Sequence, residues 1–408
     1  MSNLKINGER LWDSLMEMAK HGATEKGGVC RLALTDVDKA ARDLFVKWCK
    51  EAGCEVTIDQ MGNIFGRRAG RNNDLPPVMT GSHIDSQPTG GRFDGIYGVL
   101  SGLEVIRALN DANYETEAPI EVSAWTNEEG SRFAPAMVAS GVFAGVFDLE
   151  YGLSRADLEG KTMGEELKRI GYDGDMPMGK PVKAFFEVHI EQGPILEAEE
   201  TTIGVVTDAQ GQRWYECTYT GQEAHAGPTP MNTRRDAMVG TARMVQAVNA
   251  IGLKYAPLAC ATVGLVQVFP NSRNVIPGQV FFTIDLRHPD DATLSKMDAE
   301  VQAAANLVAE ELKLGMDFKE IWYSPPVPFN KECVAAVRAA AESNGFSHRD
   351  IVSGAGHDAC YISRVAPTSM IFVPCEGGIS HNEIENATPS DIAAGCQVLL
   401  QAMISRAG

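Results

Sequence analysis

No apolar run in the 408 residues approaches the roughly 18 that a membrane-spanning helix needs. A helical membrane protein is therefore not expected. The opening stretch MSNLKINGERLWDSLMEMAKHG lacks an apolar segment behind a basic head, so no targeting signal is read there. Positive charge is scarce: 36 Lys and Arg stand against 54 Asp and Glu, a formal net charge of −18. A surface of that sign repels phosphate backbones and anionic lipid, which excludes nucleic acid and membrane as partners. A small anionic substrate is not excluded, because one pocket can carry the opposite sign. The cysteines, at 30, 49, 54, 217, 260, 333, 360, 375 and 396, are odd in number, scattered and free of CxxC pairs. They read as reduced thiols of a cytoplasmic protein, mostly small buried hydrophobes, and exclude a disulfide framework or a cysteine zinc site. Internal repeats and low-complexity linkers are also missing.

What remains is the composition of a folded chain, 44% hydrophobic and 22% charged. At roughly 100–200 residues per domain it should form two or three domains. The first half alternates helix and strand. Ala41–Ala52 reads as helix. LPPVMT (75–80) reads as the approach to a buried strand ending at Thr80. Ile96, Val99, Leu100, Leu103, Ile106 and Leu109 recur at helical spacing, and IEVSAW (120–125) follows as a strand. This strand–helix–strand unit builds a parallel α/β sheet.

A different rhythm begins near Gln212. Strand-like Arg213–Tyr219 leads to a helix over Thr233–Ile251, with Ala237, Thr241, Val245 and Val248 on one face. Ala261–Val268 and Val280–Leu286 read as strands. Leu294, Met297, Val301, Ala304, Val308 and Leu312 form a helical stripe, and Asp317–Trp322 closes the set. The order β-α-β-β-α-β is the split βαβ, ferredoxin-like pattern. The expected fold is therefore α/β: a mostly parallel-sheet catalytic domain from residues 1–212 and 325–408, carrying an inserted α+β domain over residues 213–324.

Four segments place His, Asp and Glu at strand ends, where α/β sites form. In GSHIDSQPTGGRFDG, His83 follows the strand, and Asp85 can hold the imidazole by its second nitrogen. Asp94 can fold back to His83 across the Gly90–Gly91 loop. In WTNEEGSRF, one of Glu128 and Glu129 can coordinate a metal while the other faces a reacting water. FFEVHIEQGP offers His189 and Gln192, and GGISHNE offers His381. Singly, a lone His is more often structural than a ligand, and a Glu pair is usually a solvated cap. Together the three His with Asp94 and Glu129 make a two-metal set of nitrogen and oxygen donors.

The chain resembles the M20 metallopeptidase clan, and within it the branch of N-carbamoyl-L-amino-acid hydrolases, β-ureidopropionases and allantoate amidohydrolases. GSHIDSQPTGGRFDG, TNEEGSRF, HIEQGP, GQEAHAGPTPMNTRRD, NVIPG and SGAGHDA carry the resemblance, which spans nearly the whole length. It implies that His83 and His189 hold one metal, Glu129 and His381 the other, and Asp94 both, with Glu128 as general base. His189 stands where peptidase relatives usually carry a carboxylate, which favours the carbamoylase branch. The resemblance makes His225 an oxyanion partner reaching the site when the inserted domain closes. It assigns Gln192, Gln212, Asn274, Arg287 and the backbone at Gly356 to substrate, with Arg287 gripping a carboxylate. The plainer alternative for Arg287 is an ion pair with Asp285 or Asp290. His357 is expected to order its glycine loop, while His21, His288 and His348 match no motif.

The implied activity is metal-dependent cleavage of the carbamoyl C–N bond of N-carbamoyl amino acids, of the L-α or β-alanine type, to amino acid, ammonia and carbon dioxide. Allantoate hydrolysis is the alternative, since that substrate also offers a ureido group and a carboxylate. A peptidase or aminoacylase comes third, and a non-catalytic binding protein on the same fold is a fourth reading of another class. The implied cofactors are two divalent ions per subunit, zinc first, with manganese, cobalt or nickel accepted by the same donors. The implied partners are a small carboxylate-bearing ureido substrate and a second copy of the chain, as a homodimer through the inserted domain.

Overall fold

The computed structural model describes residues 4–408. They divide into two compact units: the chain up to Asp208 together with Pro328 onward, and Ala209–Val327.

The first unit is built on one sheet. Its leading strands are β1 (Glu55–Ile58), β2 (Ile64–Arg68), β3 (Val78–His83), β4 (Ile120–Trp125), β5 (Ala184–Ile190) and β6 (Ile203–Ala209). The returning chain adds β14 (Val327–Pro328), β15 (His348–Ser353) and β16 (Thr368–Val373). The strand order is β1-β2-β4-β3-β5-β16-β6-β14, with β15 on β6. Four neighbours, β4, β3, β5 and β16, run parallel, and β2 and β6 flank them antiparallel. All residues of these four strands are buried, which fits a sheet covered on both faces. The helix Ile96–Asp111 is apolar almost all round, with thirteen buried residues. The helix Pro389–Ala407 opens on Thr388, whose side chain accepts from the Asp391 N–H, with proline at its first position.

Two local expectations shift. β3 runs on to His83, because Gly81, Ser82 and His83 stay paired to Ser123, Ala124 and Trp125. The helix expected from Ala41 starts at Asp36, where the Thr35 side chain accepts from the Asp38 N–H. That polar first turn carries no apolar period to read.

The second unit contains β7 (Gly211–Thr220), β8 (Ala224–His225), β9 (Cys260–Thr262), β10 (Val266–Phe269), β11 (Val275–Ile276), β12 (Gln279–His288) and β13 (Gly315–Ser324). Its main sheet has the order β10-β12-β7-β13 and is antiparallel. Tyr215, Cys217 and Tyr219 alternate inward with Val280, Phe282, Ile284 and Leu286. They meet Leu294, Met297, Val301, Ala305 and Val308 from the helix Asp291–Leu312. Ala261–Val268 is not one strand. It breaks at Val263–Leu265, where the Leu265 carbonyl instead accepts from the Thr283 N–H. The helix Ala237–Lys254 starts at its Asp236 cap rather than at Thr233 and turns Met244 inward, leaving Val245 exposed. No helix among the described residues is long and apolar enough to cross a membrane.

Candidate active site

The parallel strands β4, β3, β5 and β16 end side by side. Their C-terminal ends deliver, in that order, Glu128 and Glu129, His83, His189 with Gln192, and the loop bearing His381. This is the edge at which open α/β sheets build their sites.

Asp94 lies at the centre and is 5% exposed. Its Oδ1 is 3.1 Å from His189 Nε2 and 3.6 Å from His83 Nε2, and its Oδ2 is 3.3 Å from His381 Nε2. Glu129 Oε2 is also 3.3 Å from His381 Nε2, and Glu128 Oε2 is 3.4 Å from His83 Nε2. Two triples can hold a cation: His83, Asp94 and His189, and Asp94, Glu129 and His381. Asp94 belongs to both.

The ring orientations suit ligation. His83 Nδ1 lies 2.8 Å from the Asp85 carbonyl, and His189 Nδ1 lies 2.9 Å from the Ile190 carbonyl. A carbonyl only accepts, so each Nδ1 carries a hydrogen and each Nε2 is the nitrogen turned towards Asp94. The Gly95 N–H donates to His189 Nε2 at 3.1 Å. Glu129 takes a hydrogen bond from Gln87 Nε2 at Oε2, 2.7 Å, while its buried Oε1 has no protein partner. A glutamate beside an imidazole, with its second carboxylate oxygen buried and unpartnered, is what a cation would satisfy, so these residues fit a divalent metal.

The electrostatics agree. Burial pushes Glu128 well above the usual carboxylate range, against the pull of His83. Burial and then the charge of Asp94 push Glu129 up to about 7. For Asp94, burial is outweighed by the hydrogen bonds to His189, His381 and His83, which hold it well below the usual range. Burial opposes a charged His83, but Glu128 and its neighbours raise it. Carboxyl groups are thus crowded in a largely buried site, where a bound cation would be the largest opposing charge.

Asp85 differs from expectation. Its carboxylate is 3.9 Å from His83 Nδ1, and the imidazole bonds to the Asp85 carbonyl instead. The chain turns after His83 so that the main chain, not the side chain, faces the ring. The freed carboxylate accepts from the Glu128 and Glu129 N–H groups, both at 3.3 Å, and so fixes the glutamate pair. Gln192, in a left-handed conformation (φ 57°), donates to Asp94 Oδ2 at 3.0 Å. Gly356 lies on the loop before the helix Asp358–Ile362. Its neighbour His357 contacts Ser353 Oγ at 3.1 Å and packs edge-on against His189 at 4.6 Å.

Sequence reasoning missed three participants. Gln87 braces Glu129, and Ser380 Oγ lies 3.1 Å from Asp94 Oδ2. Glu385, 1% exposed, accepts from the Phe93 and Asp94 N–H groups at 3.0 and 3.1 Å. Burial raises its carboxyl to about 7. The only signal was position within segments already singled out, and for Glu385 not even that.

The remaining expected residues belong to the second unit. His225 is exposed, and its Nδ1 accepts from the Gly227 N–H at 3.0 Å. The short β8–β11 ladder sets it opposite Val275, and the Ala226 N–H donates to the Asn274 carbonyl at 2.9 Å, so His225 and Asn274 are neighbours. Gln212 is the register partner of Arg287 across β7 and β12. The Arg287 fork engages Asp285, with Nη2 2.7 Å from Oδ2. Asp290 instead caps the next helix through the Thr293 N–H.

A histidine–carboxylate cluster at the ends of parallel strands, buried except for the half-exposed His381, defines a metal-dependent hydrolase class. Residues 79–405 match the model for peptidase family M20/M25/M40, and the chain belongs to that family. The chain is 52% identical over 406 residues to a Rhizobium meliloti protein named N-carbamoyl-L-amino-acid amidohydrolase, covering 99% of this chain and 98% of that one. It is 35% identical to an Escherichia coli allantoate amidohydrolase, with 95% of each chain covered. Among solved structures, a Burkholderia vietnamiensis amidase of the hydantoinase/carbamoylase family superimposes with TM-score 0.99 at 70% identity, covering 100% of this chain and 99% of that one.

Proposed function

We propose that this chain is a metal-dependent amidohydrolase that cleaves the carbamoyl C–N bond of N-carbamoyl amino acids, releasing the amino acid, ammonia and carbon dioxide. The carrying observation is Asp94, whose two oxygens face two separate histidine-containing triples beside the buried Glu128. The 52% identical relative, named for this activity, supports the choice of substrate.

His83 and His189 would hold one divalent ion, Glu129 and His381 a second, and Asp94 both. Bound there, such ions acidify water and polarise a carbonyl. Glu128 takes the proton from the attacking water and passes it to the departing nitrogen. Its burial keeps its proton affinity high enough for both transfers. Asp85 is a positioning residue that holds the N–H groups of the glutamate pair. His225 and Asn274 donate to the tetrahedral oxyanion, one such donor being typically worth about 3 kcal/mol. Arg287 receives the substrate carboxylate in its planar fork, exchanging Asp285 for it. Gln192, Gln212 and the Gly356 backbone complete the substrate contacts.

Zinc is the first choice of ion, with manganese, cobalt or nickel compatible with the same donors. A homodimer through the second unit is supported by Met238, Val239 and Val245, exposed on one helix, and by Val266 and Phe269, exposed on the edge strand β10. Nine free cysteines fit a reducing cytoplasm. Ammonia release from N-carbamoyl-L-amino acids, N-carbamoyl-β-alanine and allantoate tests the reading. The carbamoyl compounds should be favoured. A preference for allantoate would transfer the assignment to that activity, and no release by metal-loaded protein would leave a binding protein.

A further inference from the structure

Glu385 lies outside every motif that marks the site, yet it is buried and makes three hydrogen bonds beside Asp94. One of its oxygens accepts from the Phe93 and Asp94 N–H groups at 3.0 and 3.1 Å. The other lies 2.8 Å from Ser380 Oγ. Its carboxylate fills the space over Gly91, where a β-carbon would come within 2.0 Å of it. Residues almost 300 positions apart are thereby joined at one point, the Asp94 backbone to the loop that carries His381.

The shared partner is Ser380. Its hydroxyl has one hydrogen and two carboxylates in reach, Glu385 Oε2 at 2.8 Å and Asp94 Oδ2 at 3.1 Å. Gln192 Nε2 approaches both Ser380 Oγ, at 3.2 Å, and Asp94 Oδ2, at 3.0 Å. The shorter contact favours Glu385 as the acceptor. Asp94 Oδ2, the oxygen facing His381, then keeps a lone pair that the serine would otherwise occupy.

We propose that Glu385 is a positioning residue for the Asp94–Glu129–His381 metal site: it fixes the Asp94 backbone and draws the Ser380 hydrogen away from the Asp94 oxygen that faces His381. This rests on the two-metal reading of the preceding section. Glu385→Gln isolates the second role. The glutamine carbonyl can still accept from Phe93 and Asp94, but its amide donates to Ser380 Oγ. The serine hydrogen then turns onto Asp94 Oδ2. Residues that orient ligands in this way typically govern about 10- to 100-fold in metal affinity.

The experiment titrates Zn²⁺ alone into the metal-free full chain against a competing chelator, above neutral pH, and records metal-free melting temperatures in parallel. Wild type should take two equivalents, and His381→Ala identifies the one belonging to its site. Glu385→Gln should weaken that equivalent about 10- to 100-fold, leaving the other and the metal-free melting temperature unchanged. Adding Ser380→Ala should recover most of the loss, because no hydroxyl hydrogen remains to be redirected. Wild-type affinity for both equivalents in Glu385→Gln, equal weakening of both with a lowered melting temperature, or no recovery in the double variant would each overturn the proposal. A wild type that does not take two equivalents would overturn the two-metal reading and this proposal with it.

Discussion

Gly95 sits where the metal-binding loop becomes a helix, and replacing it with alanine tests how tightly the two are joined. Its backbone, at φ 68° and ψ −57°, forms a three-residue turn closed by the Ile96 N–H on the Asp94 carbonyl at 2.8 Å. That conformation is strained for any residue with a side chain and costs about 1–3 kcal/mol. A β-carbon there would also lie 2.3–2.4 Å from three atoms of the His83 ring. His83 is buried and cannot swing aside, so overpacking adds about 1–3 kcal/mol. Gly95→Ala should therefore cost about 2–6 kcal/mol. At about 2 °C per kcal/mol for a unit of this size, the melting temperature should fall by about 4–12 °C. The control is Gly171→Ala, also at positive φ (74°) but with nothing near its would-be β-carbon, which should cost only about 1–2 kcal/mol. Calorimetry reads the melting shift, and elemental analysis reads the bound metal. Gly95→Ala should also lose the ion assigned to His83. Full metal loading together with a melting shift no larger than that of Gly171→Ala would refute the argument that His83 is held rigidly against this turn.

Glu128→Gln should keep its metal while turnover falls about 10²- to 10⁴-fold, and near-normal turnover would remove Glu128 as the base. Arg287→Ala should mainly raise KM for carboxylate substrates and leave KM for the corresponding carboxamides unchanged; equal effects on both would take Arg287 out of carboxylate recognition. Burial and Asp94 raise the Glu129 carboxyl to about 7, so a bound cation must displace its proton below that pH. Zinc affinity of the Asp94–Glu129–His381 equivalent in a competition titration should weaken as pH falls below about 7, with the Glu129 proton contributing up to tenfold per unit. A flat profile across that range would contradict the environment described for Glu129.

The parts of the site legible in sequence share one property: they are local to a strand end. Glu128 and His189 are recognisable because a buried apolar strand stops beside them, and parallel strands stop on the same side. The helical stripe of the second unit was legible for the same reason, since it depends only on the period of residues 294–312. Asp85 was misread because the identity of a residue two positions on does not say whether its carbonyl or its carboxylate faces the ring. Val245 was misplaced because neighbouring Val245 and Met244 fit an apolar face about equally, and only the sheet beneath decides. Glu385 could not be found at all, since its partners at Phe93 and Asp94 lie almost 300 residues earlier.

The place of β16 in the sheet bears on how the protein is made. It lies between β5 and β6, which precede it by more than 150 residues. A growing chain therefore finishes His83, Asp94, Glu129 and His189 long before the strand that completes their sheet exists. At about 5–20 residues per second, the wait between His189 and the end of β16 is about 10–40 s. During that interval β5 and β6 present unpaired edges, and the nascent chain offers three residues of one proposed metal site but only part of the other. On the two-metal reading, the full ligand set is thus assembled only once His381 has emerged. Premature release or truncation near residue 370 would yield a chain that holds most of the chemistry and none of its closure.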